Sequence, residues 1–123
     1  MSSIFNQFFN KEKENRQPGK VEYKNKKPEN TKNIKIKASV FGKVQGVGFR
    51  YSTTQTAKKI GVNGIVKNEV DGSVYVEAVG SDEQVDQFIT ELAKGPSPSA
   101  QVEHVEVEYD SSVNNYSGFS ERH

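Results

Sequence analysis

The stretch of sequence best suited to chemistry is residues 42–50, which read GKVQGVGFR. Gly42, Gly46 and Gly48 allow sharp turns and leave consecutive main-chain N–H groups uncovered by Cβ atoms. A helical pattern follows, and its unpaired first-turn amides and positive dipole end would lie beside these glycines. Arg50 adds a planar fork of donors that fits two phosphate oxygens. A purely structural turn is the alternative, but Arg50 at its end favours a cradle for a tetrahedral anion.

Other residue types that often do chemistry give no comparable pattern. The chain has no cysteine, which excludes disulfides and thiolate chemistry and fits a reducing interior such as the cytoplasm. Its two histidines are His104, within an alternating strand pattern, and His123. No HExxH or paired-carboxylate spacing is present, so the sequence predicts no metal and no cofactor. The glycine-rich stretch also differs from the GxxxxGK[ST] and GxGxxG nucleotide motifs.

The elements that must position residues 42–50 are a strand before them and a helix after them. Polar and apolar residues alternate from Ile34 to Phe41, which predicts a strand with one buried face. Apolar residues then recur at helical spacing as far as Ile60, and two lysines occupy the last turn before Gly61. We therefore predict a helix over residues 51–60, with Gly61 as its left-handed cap.

The rest of the chain predicts a second helix and four more strands. Ser81 and Gln84 have the spacing of a capping box, and the apolar stripe that follows ends at Gly95-Pro96. Asp71-Gly72 is a hairpin turn. The strands are predicted at residues 65–69, 73–79, 104–109 and 116–122. This order, βαββαβ with a short C-terminal strand, indicates an α+β, ferredoxin-like α/β sandwich in which two helices cover one face of a mostly antiparallel sheet.

Residues 1–32 differ in composition from the rest of the chain. They carry eight Lys or Arg against four Asp or Glu, a net charge of +4 in a chain whose total is +1. They are also rich in polar residues and show no sustained periodicity, so they cannot bury enough apolar area to order themselves. We therefore predict a flexible basic N-terminal extension over residues 1–32 and a folded domain over residues 33–123.

A short apolar face lies near the start of this extension, formed by Ile4, Phe5, Phe8 and Phe9. One interpretation is a poorly ordered terminus, and the other is a peptide that makes weak contact with a membrane surface or a protein. The sequence has no apolar run of about 18 residues and no secretory signal pattern. We therefore predict a cytoplasmic protein without a transmembrane helix, and a monomer.

Three segments together resemble the acylphosphatases, a family of small enzymes that hydrolyse carboxyl–phosphate mixed anhydrides. The first is GKVQGVGFR itself. The second is GIVKN at residues 64–68, which is followed by the DGSV hairpin, and the third is YSGFSER at residues 116–122. The resemblance covers residues 34–123. Ile65 departs from the Trp that many members carry there, and we expect this difference to affect packing.

The resemblance implies a role for individual residues. Arg50 would bind the phosphate, and Asn68 would orient the attacking water. The backbone that would bind the remaining phosphate oxygens comprises Gln45, Gly46, Val47, Gly48, Phe49 and Arg50. An amide is no base at neutral pH, but its oxygen can accept a hydrogen bond from water and fix its approach. The carboxylate that leaves has a conjugate acid with a pKa of roughly 4, so no general acid is required.

Two other functions stay open from the sequence. A non-catalytic accessory module would bind phosphate through the same residues without turnover. A ferredoxin-like sheet could instead bind RNA through Phe41, Tyr75 and the basic extension. However, residues 33–123 carry nine Lys or Arg against twelve Asp or Glu and contain no RNP-like aromatic motif. Lys43 and Lys67 are interpreted as ordinary solvated lysines, and the alternative is that they add positive potential near the cradle.

Overall fold

The computed structural model describes residues 17–123, so the apolar face predicted for Ile4, Phe5, Phe8 and Phe9 lies outside the described residues. Six strands and two helices follow one another along this part of the chain. They are β1 (Lys20–Tyr23), β2 (Ile34–Lys43), α1 (Phe49–Ile60), β3 (Asn63–Asn68), β4 (Val74–Gly80), α2 (Asp82–Lys94), β5 (Gln101–Tyr109) and β6 (Phe119–Arg122). Neither helix has the length and apolar run that crossing a bilayer requires.

The strands form one sheet in the order β1-β5-β2-β4-β3-β6. The central strand β2 pairs antiparallel with both β4 and β5, and β3 pairs antiparallel with β4. The two outermost strands instead add in parallel, β1 to β5 and β6 to β3. The predicted βαββαβ order with a short C-terminal strand is confirmed, as is the mostly antiparallel sheet of a ferredoxin-like α+β fold.

One face of the sheet packs against both helices. Along β2, every second residue from Ile34 to Val40 is buried, while the residues between them are partly exposed. The helices contribute the other side of the core, including Phe49 from α1 and Phe88 from α2. Because the inward residues of the sheet and of both helices form one cluster, the helices lie side by side on that face. Burial of such apolar side chains is the main source of stability for a domain of this size.

The start of α2 is fixed to the end of α1. Ser81 and Gln84 form the predicted capping box, with Gln84 N donating to Ser81 Oγ at 3.2 Å and Ser81 N donating to Gln84 Oε1 at 3.0 Å. The Gln84 side chain also donates to the Ile60 carbonyl at 3.3 Å. The N-terminus of α1, where the glycine-rich stretch ends, therefore lies at the other end of the helical layer.

Strand β1 corrects one prediction from the sequence. Residues 1–32 are predicted to be flexible, but Lys20–Tyr23 pair with residues 104–107 of β5, and the Gly19 amide donates to the Ala93 carbonyl at 2.7 Å. The prediction is wrong for this stretch because a four-residue, mostly polar strand has no periodicity of its own. Its order comes from the ladder bonds that the β5 edge supplies.

Two side chains hold the segment after β1 against the rest of the domain. The Asn25 amide makes two hydrogen bonds of 2.9 Å with the main chain of Tyr109, one to its carbonyl and one from its N–H. Lys27 Nζ lies 2.7 Å from Asp82 and 3.0 Å from Asp86, both on α2. The extension therefore continues the fold at least as far as Lys27.

The C-terminal strand is placed by contacts with β3 and β4. The Gly64 amide donates to the Gly118 carbonyl at 2.9 Å, and the Tyr116 hydroxyl donates to the Glu77 carboxylate. A Cβ at Gly64 would lie 1.8 Å from the Glu77 carbonyl oxygen, so only glycine permits this approach of β3 to β4. These contacts bring β6 alongside β3, whose last residue is Asn68.

Candidate active site

The loop that joins β2 to α1 begins after Lys43 and contains two of the three glycines of the first motif. Gly42 lies inside β2, at a register shift opposite Val102, and a Cβ there would lie 2.2 Å from the Gln101 carbonyl oxygen. Contrary to the sequence interpretation, Gly42 therefore serves strand pairing rather than the cradle. The sequence pattern does not show at which residue β2 stops pairing with its neighbouring strands and the glycine-rich turn begins.

Gly46 and Gly48 shape the turn into α1. Their φ angles are 73° and 74°, in the left-handed region that glycine adopts without strain. Gly48 is the N-cap of α1; it supplies no side-chain cap, and the first turn contains no acidic residue. First-turn amides have no partner within a helix, and the helix dipole favours negative charge there, so the N-terminus of α1 is suited to an anion.

The side chains of Gln45, Val47 and Phe49 anchor the loop. Gln45 Nε2 donates to the carbonyls of Glu69 and Ser73, each at 2.8 Å, which ties the loop to the hairpin that follows β3. Val47 packs against the core, and Phe49 lies within it. With these side chains engaged elsewhere, any contribution of the three residues to anion binding comes from their main-chain N–H groups.

Arg50 and Asn68 line the same small depression, of about 150 Å³, together with Gly46 and Gly48. Arg50 Nη1 donates to the Arg122 carbonyl at 3.1 Å, so β6 holds the guanidinium from one side. The Asn68 Oδ1 is buried and accepts no hydrogen bond from the described residues. A buried carbonyl oxygen without a donor is costly, which suits it to a ligand that donates.

The charged residues next to Asn68 in the sequence are engaged elsewhere. Lys67 Nζ lies 3.8 Å from the Glu69 carboxylate and 5.5 Å from the centre of the Tyr75 ring. Asp71 Oδ1 accepts from the Ser73 hydroxyl at 2.6 Å and from its amide at 2.9 Å. These bonds, the hydroxyl above all, hold the pKa of Asp71 below its ordinary value and keep its carboxylate in the hairpin. Within residues 17–123, no group of three or more metal-binding side chains occurs.

Three residues of the depression are absent from the sequence interpretation: Val44, Tyr51 and Glu121. Glu121 was recognisable in principle, because it follows the buried Phe119 by two positions and strand residues two apart share a face. The parallel register places Glu121 beside Val66, two residues before Asn68. The face of β6 that carries Glu121 is thus readable from the sequence, but the pairing of β6 with β3, which brings Glu121 to the depression, is not.

The residues named in the RNA-binding alternative lie on partly exposed positions of the sheet. The Phe41 ring stacks on His104 with centroids 4.4 Å apart, and the Tyr75 hydroxyl donates to Glu77. Both aromatic residues therefore have partners within the protein.

Comparison with known proteins gives consistent matches. A family model described as acylphosphatase matches residues 36–121. A protein of Mannheimia succiniciproducens named acylphosphatase is 50% identical over 90 residues, which span 73% of this chain and 99% of that protein. One of the same name from Oceanobacillus iheyensis is 53% identical over 72 residues, 58% of this chain and 79% of that protein. The crystal structure of acylphosphatase from Bacillus subtilis superposes with a TM-score of 0.70 at 33% identity, covering 73% of this chain and 99% of that one.

Proposed function

Because the chain belongs to the acylphosphatase family, we propose that Arg50 and the amides of residues 45–50 bind the phosphoryl group of its substrate and that Asn68 orients the attacking water. The protein is an enzyme of this class, which hydrolyses carboxyl–phosphate mixed anhydrides to a carboxylate and inorganic phosphate. One observation carries the assignment of roles: Arg50 and Asn68 line one depression beside the uncapped N-terminus of α1.

The phosphoryl group is held by positive potential that exists before the substrate arrives. Phosphoryl transfer has a loose transition state with charge spread over the equatorial oxygens, so catalysis consists largely of positioning and electrostatic stabilisation. The loop amides supply fixed donors and the α1 dipole adds positive potential, and Arg50, which lines the depression, supplies a planar fork of further donors. The Arg122 carbonyl restrains the guanidinium, which lowers the cost of ordering it when the substrate binds.

Asn68 fixes the water in line with the bond that breaks. Its buried Oδ1 accepts a hydrogen bond from the water, which attacks phosphorus while the bond to the acyl oxygen breaks. The proton of the water passes to a phosphoryl oxygen of the substrate. The carboxylate leaves without protonation because its conjugate acid has a pKa of roughly 4. The sequence-based expectation that neither a general acid nor a cofactor takes part is kept in this proposal.

Hydrolysis of benzoyl phosphate tests these roles. Arg50→Ala and Asn68→Ala should each lower kcat by on the order of 10³-fold. Lys59→Ala removes a cation from the last turn of α1, at the far end of the helix, and is the matched control that should keep wild-type kcat. Circular dichroism should show native folding in all three variants. Turnover that survives both changes at the site would refute the assignment.

Inorganic phosphate separates the two roles. It should raise the Tm of the wild type and of Asn68→Ala, because Asn68 acts on water rather than on the phosphoryl group. It should not raise the Tm of Arg50→Ala. Equal protection of all three proteins would mean that Arg50 does not bind the phosphoryl group.

A further inference from the structure

The depression that binds the phosphoryl group is small. Its volume is about 150 Å³, below the roughly 300–1,000 Å³ of pockets that bury a drug-sized ligand. With the phosphoryl group against the amides and Arg50, an acyl group as large as a benzoyl group must extend past the edge of the depression. The residues at that edge therefore contact the part of the substrate that differs from one acyl phosphate to another.

Two side chains at this edge, those of Tyr51 and Glu121, have no role in the proposed chemical step. Tyr51 follows Arg50 in the first turn of α1 and is 62% exposed, so its ring presents an open surface beside the bound phosphoryl group. Glu121 approaches from β6, on the face of the sheet that also carries Asn68, and is exposed. Among the described residues that line the depression, Arg50 carries a positive charge and Glu121 a negative one.

Each side chain acts differently on an acyl group. An aromatic ring offers a flat apolar surface, and a well-placed aromatic pair contributes about 0.5–1.5 kcal/mol, or roughly two- to tenfold in kcat/KM. A carboxylate repels a second anionic group on the acyl portion and attracts a cationic one, and such repulsion is a common way to exclude a competing ligand. Arg50 does not offset this effect, because the phosphoryl group occupies it.

We propose that Tyr51 and Glu121 select the acyl group of the substrate. Tyr51 favours an acyl group with an apolar or planar surface. Glu121 favours an uncharged or cationic acyl group and disfavours one that carries a second anion. This inference rests on the proposed function, since it requires the phosphoryl group to bind beside Arg50. It names a substrate class and assigns these two residues to substrate selection rather than to the chemical step.

Para-substituted benzoyl phosphates test the role of Glu121 at constant ring size. The substituents are carboxylate, carboxamide and trimethylammonium. For the wild type, kcat/KM should rise in that order, with about a fivefold ratio between the carboxamide and carboxylate substrates. Glu121→Gln should bring this ratio close to one, and added salt should reduce the ratio in the wild type. Glu83→Gln makes the same charge change in the first turn of α2, at the opposite end of the helical layer, and should preserve the wild-type ratio.

Acetyl and benzoyl phosphate test the role of Tyr51. Tyr51→Ala should lower the ratio of kcat/KM for benzoyl over acetyl phosphate two- to tenfold, and Tyr51→Phe should retain that ratio. Tyr23→Ala removes a 50% exposed tyrosine from β1 and is the matched control.

The outcomes distinguish this inference from the proposed function. Suppose that the wild type hydrolyses benzoyl phosphate and Arg50→Ala does not. If Glu121→Gln then keeps the wild-type carboxamide/carboxylate ratio and Tyr51→Ala keeps the wild-type benzoyl/acetyl ratio, the selection proposal is overturned, whereas the phosphate site is retained. A wild type that hydrolyses none of the substrates overturns both. The proposal is also overturned if Glu83→Gln changes the ratio of kcat/KM for the carboxamide over the carboxylate substrate as much as Glu121→Gln does. The effect would then reflect the net charge of the protein.

Discussion

Two neighbouring threonines of α1 are both buried but differ in their hydrogen bonds. The Thr54 hydroxyl donates to the Arg50 carbonyl one turn earlier, at 2.9 Å. The Thr53 hydroxyl is fully buried and has no hydrogen-bond partner among the described residues. A buried polar group without a partner costs free energy, whereas one with a partner contributes modestly to stability.

Replacing each threonine with valine measures this difference. Valine has nearly the same shape and helix propensity, so the change in free energy of unfolding reports mainly on the hydroxyl. Thr53→Val should stabilise the protein by about 1 kcal/mol, and Thr54→Val should destabilise it by about 1 kcal/mol. Urea unfolding measures both values. Destabilisation of Thr53→Val together with a loss of turnover would show that its hydroxyl has a partner in the functional enzyme.

At the scale of elements, the loop between β2 and α1 depends on the Gln45 side chain. Gln45→Ala leaves two carbonyls on the neighbouring hairpin without their donor, which should destabilise the protein by about 1–3 kcal/mol. Because we propose that amides of the same loop bind the phosphoryl group, kcat/KM should fall about tenfold. Gln55→Ala, an exposed change on α1, is the control. A wild-type kcat/KM in Gln45→Ala would mean that the loop holds its shape without this side chain.

The end of β5 carries an ion pair that makes stability depend on pH. Lys37 Nζ lies 2.8 Å from the Asp110 carboxylate, which also accepts from the hydroxyl and amide of Ser112. The bond from Lys37 is the main cause that holds the pKa of Asp110 far below its ordinary value. A carboxyl whose pKa is lower in the folded state contributes stability above its unfolded pKa of about 3.9, and that contribution is lost as the pH falls further.

Asp110→Asn should therefore be less stable than the wild type at neutral pH, and the difference in free energy of unfolding should decrease as the pH falls. The difference in urea midpoint should be largest above pH of about 5 and should shrink between roughly pH 4 and 2. Glu83→Gln, which removes an exposed carboxylate from α2, is the comparison. A difference that stays constant over this range would show that Asp110 is not the group that titrates.

Elements with a strong local pattern could be predicted from the sequence, and those made by distant contacts could not. The capping box at Ser81 and the alternation of β2 are each encoded by residues that are close together in the sequence. The predictions made from these two patterns were confirmed. Lys20–Tyr23 form a strand because β5 offers an edge, which no local pattern contains. At the candidate site, the motifs name Arg50 and Asn68, which line one depression, whereas the position of Glu121 there depends on the strand order.

At the scale of the whole molecule, β1 lies outside the residues that match the family model and covers the edge of β5. We expect a variant that starts at Asn33 to keep the wild-type kcat, because β1 and the loop of Arg50 are separated by β5 and β2. It should unfold at a lower urea concentration because the bonds to β5 and α2 are lost. The exposed β5 edge should also favour self-association.

Sedimentation and turnover at the same protein concentrations check this expectation. The full chain should sediment as a monomer, and the shortened variant should form larger species as its concentration rises. A shortened variant that stays monomeric and as stable as the full chain would show that β1 contributes little in solution. A loss of turnover at low concentration would show that the extension takes part in catalysis.

The hydrogen bond from Arg50 to the Arg122 carbonyl has a consequence for biosynthesis. The guanidinium and its restraint lie 72 positions apart along the chain, so a nascent polypeptide contains Arg50 well before β6 is translated. Until β6 emerges and docks beside β3, the arginine lacks its restraint and Glu121 is missing from the edge of the depression. We therefore expect catalytic competence only after β6 has docked, so a ribosome stalled before β6 is translated should display a partly folded but inactive chain.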